Sequence, residues 1–166
     1  MRATTARAPL ALALAYALGG CGFTPLYATP GVSSALSAVT VVVPQGRVAY
    51  LLREDLDDAL AHDAAAPSAW RLDVGLVQTR EPRGLRLDNV AERYEVDLTV
   101  QYRLISVATG AVAYSGQVST EVSYDAADAP YAGIAARQDS QERVASDAAR
   151  RIEIALAAWM ARHRGA

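Results

Sequence analysis

From Tyr94 to Leu104 the chain alternates without a break. Tyr94, Val96, Leu98, Val100, Tyr102 and Leu104 fall on one side, and Glu95, Asp97, Thr99, Gln101 and Arg103 on the other. A strand turns successive side chains to opposite faces, so a period of two with one polar side demands a sheet covered on one face only. Two neighbouring stretches repeat the pattern. Trp70, Leu72, Val74 and Leu76 alternate with Arg71, Asp73 and Gly75, and Val112, Tyr114, Val118 and Val122 alternate with Ala113, Ser115, Gln117, Ser119 and Glu121. Ala108-Thr109-Gly110 supplies a short hairpin turn between the last two strands. Three strands in an antiparallel meander are therefore expected.

The remaining elements must cover the apolar face. Val39-Thr40-Val41-Val42-Val43 is a β-branched run closed by Pro44 and Gly46, the pattern of a buried strand. Val48, Leu52, Leu56 and Leu60 then recur every four residues, with Arg53, Glu54, Asp57 and Asp58 elsewhere on the wheel. They predict an amphipathic helix from about residue 47 to 61. Residues 61–69, with Asp63 and Pro67, end it. From about Tyr131 onward a long helix is expected, its core face marked by Val144, Ala148, Ile152, Ala155, Leu156 and Trp159. The order is β-α-β-β-β-α, with a crossover that makes the first strand pairing parallel. This is an α+β fold: a two-layer sandwich of a mixed four-stranded sheet with two helices on one face.

The N-terminus reads differently. Arg2 and Arg7 precede an apolar run from Ala8 to Leu18, about half of the ~20 residues a membrane-spanning helix needs. That is the form of a cleaved secretory signal. It ends in Leu18-Gly19-Gly20-Cys21, which resembles the bacterial lipobox, where the cysteine sulfur receives a diacylglycerol and the chain is cut before it. Cys21 is the only cysteine, so no disulfide framework is expected. The expected organisation is a signal at 1–20, a lipidated Gly/Pro/Ser/Thr-rich tether at 21–38, and a single domain at 39–166. Without Arg2 and Arg7 the charge is 14 − 18 = −4, from 16 basic and 18 acidic residues in all. A chain of that sign lacks the basic face that binding to nucleic acid needs.

Little in the chain resembles an enzyme. His62 and His163 stand at the ends of the two expected helices with no metal-ligand spacing around them, and no nucleophile elbow or phosphate loop occurs. Asp57-Asp58 falls on adjacent helical positions, about 100° apart, and reads as a solvated face. No catalytic residue, metal or cofactor is expected, apart from covalent lipid on Cys21. Two features remain. The polar sheet face reads either as ordinary solvated surface or as a surface made to sit inside something polar, such as the lumen of a membrane β-barrel. The stretch Arg80-Glu81-Pro82-Arg83-Gly84-Leu85-Arg86-Leu87 is expected as a loop. It reads either as a charged connection or as a place where Arg80, Arg83 and Arg86, interleaved with Leu85 and Leu87, grip phosphate and acyl groups together.

Cys21-Gly22-Phe23-Thr24-Pro25-Leu26-Tyr27 after the lipobox is similar to the start of the LptE lipopolysaccharide-assembly lipoproteins in their alphaproteobacterial form. Ser123-Tyr124-Asp125, Tyr131-Ala132, Ala136-Arg137-Gln138-Asp139 and Glu142-Arg143 resemble the same family, as does the element order. The resemblance implies an outer-membrane lipoprotein on the periplasmic side. It also implies a role as plug and assembly partner of the LptD β-barrel, passing lipopolysaccharide to the cell surface. Gly22 after the cysteine agrees with outer-membrane placement, since an Asp there often marks inner-membrane retention in the lipoprotein families this resembles. Other roles for a small anchored α/β protein are an auxiliary lipoprotein of an ABC-type lipid transporter, a periplasmic enzyme and a cell-wall-binding lipoprotein.

Overall fold

The computed structural model describes residues 31–85, 91–127 and 129–163. The expected signal at 1–20, Cys21, Arg86 and Leu87 lie outside the described residues. In chain order the elements are α1 (Val32–Ser37), β1 (Val39–Val42), α2 (Arg47–Ala59), β2 (Trp70–Leu85), β3 (Ala91–Ser106), β4 (Val112–Asp125) and α3 (Pro130–Arg162).

The sheet has four strands in the order β1-β2-β3-β4. β1 runs parallel to β2, from Val39 opposite Trp70 to Val42 opposite Asp73, as the helical crossover through α2 requires. β2, β3 and β4 form the antiparallel meander, with Leu98 between Gln78 and Thr120 in its middle. The alternating residues are sorted as their period demands. Leu72, Val96, Leu98, Val100 and Leu104 are fully buried beneath the helices, while Gln101 and Arg103 are exposed on the other face.

The helices supply the second layer. Leu52 and Leu56 of α2 and Ile152 and Leu156 of α3 are fully buried. Each such side chain contributes about 1.5–3 kcal/mol of transfer free energy. Ala145, Ala148 and Ala149 of α3 are also buried; their small side chains let the helix approach the sheet closely. Buried Thr120 of β4 donates its hydroxyl to the Val144 carbonyl at 3.1 Å, which sets the height of α3 along β4. α2 ends at Ala59, two residues before the expected end, because Ala61 takes a positive φ of 50° and turns the chain out of the helix.

Two expectations need correction. The tether was expected to run to residue 38, but Val32–Ser37 is helical and Val32 and Leu36 join the core. The packed domain therefore begins before residue 39. The stretch 80–85 is not a loop but the continuation of β2, paired with β3 from Arg80 opposite Val96 to Leu85 opposite Ala91. Pro82 and Gly84 (φ 68°) concealed this. β1 covers β2 only at Trp70–Asp73. Farther along, among the described residues no strand lies against the side of β2 away from β3, so a proline's missing N–H costs no ladder bond there.

Candidate functional site

The uncovered face of the sheet is built from cross-strand rows that register aligns. Asp73, Arg103 and Ser115 form one row; Gly75, Gln101 and Gln117 the next; then Val77, Thr99 and Ser119; then Thr79, Asp97 and Glu121. Its polar side chains bind one another. Thr99 and Ser119 hydroxyls are 3.2 Å apart, the Gln101 amide donates to Gln117 at 3.3 Å, and Arg71 holds Asp73 at 2.9 Å. Gly75 interrupts this surface: nothing lies within 4 Å of where its Cβ would be. The result is an open hollow of about 730 Å³ bordered by Asp73, Gly75, Gln101, Arg103, Ser115 and Gln117. Such a face can hydrogen-bond to a polar partner over a wide area.

Farther along the same face lies an acidic group. The carboxylates of Glu95, Asp97 and Glu121 lie within 4.8 Å of one another. These residues share no sequence spacing that signals a cluster; strand register brings Glu121 beside Asp97. Glu95 is engaged by Arg83, whose Nε donates to it at 3.1 Å while a second nitrogen takes the other oxygen. This bidentate pair holds the Glu95 carboxyl below the usual carboxylate range, its hydrogen bonds outweighing the cost of burial. It also raises the Arg83 guanidinium above its ordinary value.

The arginines expected to work together are separated by the strand. Arg80 and Arg83 are three residues apart in β2 and so point to opposite faces. Arg83 belongs to the polar face. Arg80 lies on the helix side, its guanidinium carbon 3.5 Å from the centre of the Tyr94 ring, and its Nε donates to the Tyr124 hydroxyl at 2.6 Å. Tyr94 and Tyr124 face each other across β3 and β4 with ring centres 5.5 Å apart. Neither tyrosine carried a functional reading in the sequence. The signal present was a tyrosine on the apolar parity near the end of each strand, and only the register shows that they meet. Arg86 and Leu87 are outside the described residues, so the combined arginine–leucine site is not seen assembled.

The opposite end of the sheet is aromatic. Trp159 stacks on His163 at 4.7 Å and on Tyr114 at 5.8 Å, and meets Trp70 edge-on at 5.6 Å. His163 therefore has a packing role, with its Nδ1 2.9 Å from the Trp159 carbonyl. Among the described residues no helix is long and apolar enough to cross a membrane.

The family model described as LptE, lipopolysaccharide-assembly, matches residues 36–156, well over half of the chain. The chain belongs to the LptE family. The family is one of non-enzymatic lipopolysaccharide-assembly lipoproteins. The crystal structure of a Caulobacter crescentus CB15 protein assigned as a lipoprotein is 48% identical. It covers 82% of this chain and 99% of its own, with a TM-score of 0.71. Rare lipoprotein B from Shewanella oneidensis shares the fold at 15% identity, covering 72% of this chain and 92% of its own, with a TM-score of 0.55. Lipoprotein B from Nitrosomonas europaea does so at 17% identity, over 75% and 87%, with a TM-score of 0.51. No curated protein sequence matches the chain. This LptE-family chain thus has the α+β sandwich expected of it, and its assignment is to lipopolysaccharide assembly.

Proposed function

We propose that this LptE-family protein is held in the inner leaflet of the outer membrane by lipid on Cys21 and seats its sheet inside an LptD-type β-barrel. There it supports barrel assembly and the passage of lipopolysaccharide to the cell surface. The observation that carries this reading is the uncovered face of β2, β3 and β4. It is wide, polar and internally hydrogen-bonded, with a hollow at Gly75 that a partner's side chains can enter. A barrel lumen is polar, and a plug for it needs a polar outer surface on a rigid scaffold. Arg80, steadied by Tyr94 and Tyr124 on the helix side, and, separately, Arg83 on the polar face are proposed contacts for lipopolysaccharide phosphates, with Arg86 as a third.

Extraction in mild detergent tests the reading. The protein should purify with a large barrel in about equal amounts, and a protein recovered alone would refute it. Thr99→Arg and Ser119→Arg, each made singly, replace one member of a cross-strand hydroxyl pair by a cation. The free domain should lose only about 0.5 kcal/mol per site, as exposed positions usually do. Recovery of the barrel should fall sharply; unchanged recovery would return this face to solvent.

A further inference from the structure

β4 is the last strand of the sheet and runs from Val112 to Asp125. The direction of its backbone groups follows from three observations. The Ala126 N–H donates to the Glu92 carbonyl at 2.9 Å, so even-numbered residues at this end of β4 turn toward β3. The Ser119 carbonyl instead accepts from Arg151 of α3 at 3.2 Å, so odd-numbered residues turn outward. Pro82 of β2, opposite Tyr94, has no N–H and sits where the same alternation points away from β3. Along β4 the outward positions are thus Ser115, Gln117, Ser119, Glu121 and Ser123, all exposed. Among the described residues, Arg151 on Ser119 is the one partner recorded for their outward backbone groups.

Folded proteins defend such edges with proline, glycine, bulges or many charges. The open side of β2 has these defences in Pro82, Gly84, Arg80, Glu81 and Arg83. β4 from Gln117 to Ser123 contains no proline and no basic residue, and its register is unbroken there. It is a long edge left able to pair. Its charge states what it pairs with. Asp97 and Glu121 are directly opposed like charges beside the edge, an unfavourable cross-strand pair. A basic side chain on an added strand, opposite Glu121, would relieve it.

We propose that the β4 edge is a strand-addition site. Its occupant is an extended segment of the barrel partner, with a basic residue next to Glu121 and main-chain hydrogen bonds to the odd-numbered residues. The inference rests on the barrel reading above and specifies one of its contacts. The strands of a closed barrel already have both edges paired, so the segment comes from a barrel loop or terminus reaching into the lumen.

Residue-resolved amide exchange on the free protein and on the purified complex tests this. The amides of Gln117, Ser119, Glu121 and Ser123 should exchange at least about tenfold more slowly in the complex, whereas Val118, Thr120 and Val122 are protected in both. Ser123→Pro removes one outward N–H without breaking the β3–β4 ladder, and should reduce complex recovery severalfold where Ser123→Ala does not. If Ser123→Pro fails to fold, the wild-type exchange comparison decides. Unchanged exchange at all four amides in an intact complex overturns the strand-addition site and leaves the barrel reading standing. Absence of a barrel partner overturns both.

Discussion

The Arg80 guanidinium lies 3.5 Å above the centre of the Tyr94 ring and is held there by the hydroxyl of Tyr124. A cation stacked on a ring keeps its in-plane N–H groups accessible from the side, so with Nε given to Tyr124 the terminal N–H groups of Arg80 remain to meet an anion. Arg80→Ala should lower stability by about 1 kcal/mol, from the lost cation–π contact and hydrogen bond, and should weaken binding of lipopolysaccharide by the soluble domain. Urea unfolding with an unchanged m-value and a salt series of binding measurements check the two halves. Tyr124→Phe should give a smaller stability loss.

Arg83 and Glu95 make stability depend on acid in a defined direction. The Glu95 carboxyl titrates below its unfolded value, chiefly because Arg83 hydrogen-bonds its charged form. Its contribution is complete above the unfolded value of about 4.3 and is lost as pH falls through the lower folded value. Wild type and Glu95→Gln should therefore differ at neutral pH and converge below pH about 4 in denaturant titrations. Arg83→Glu should be worse than Arg83→Ala, because it adds a carboxylate beside Glu81, Glu95, Asp97 and Glu121.

Gly116 is required by its neighbour. A Cβ there would lie 2.5 Å from Cζ of Tyr102, whose ring is buried and whose phenol burial pushes above its ordinary value. Gly116→Ala should cost about 1–3 kcal/mol, as forced overpacking does, and Tyr102→Phe in the same chain should recover part of it. Thermal unfolding of the single and double variants measures both effects.

The alternation at residues 94–104, the parallel first pairing and the core face of α3 were legible because periodicity encodes burial directly. The stretch 80–85 was not. Arg-Glu-Pro-Arg-Gly has no strand-like composition, and its conformation comes from β3, which supplies a ladder on one side only. Val32–Ser37 was hidden for a related reason: a helix this short forms only through packing of Val32 and Leu36. Of the arginine site, the sequence showed the residues but not their faces. The loop reading placed Arg80 beside Arg83, and the strand sends them apart. The Arg80–Tyr94–Tyr124 contact and the Glu95–Asp97–Glu121 cluster both depend on cross-strand register, which no single stretch records.

The anchor is tested independently of the fold. Cys21→Ser should leave an unprocessed or soluble species that takes up no label from a fatty-acid precursor, because the thioether needs sulfur. Fractionation of the labelled wild type with outer-membrane markers checks the placement that goes with it.

α1 also has a mechanical consequence. Any tension arriving from upstream of Gly31 meets Val32 and Leu36, both embedded in the core, before it reaches β1. β1 joins β2 along only Val39–Val42, the shortest ladder in the sheet and the first to yield under load. The Asp63 N–H donates to the Ser37 carbonyl at 3.1 Å, and both Ala69 and Trp70 donate to Ala38, so the strain spreads into the α2–β2 connection. Load entering from upstream of Gly31 is thus taken up by α1 and β1 ahead of the three-stranded meander.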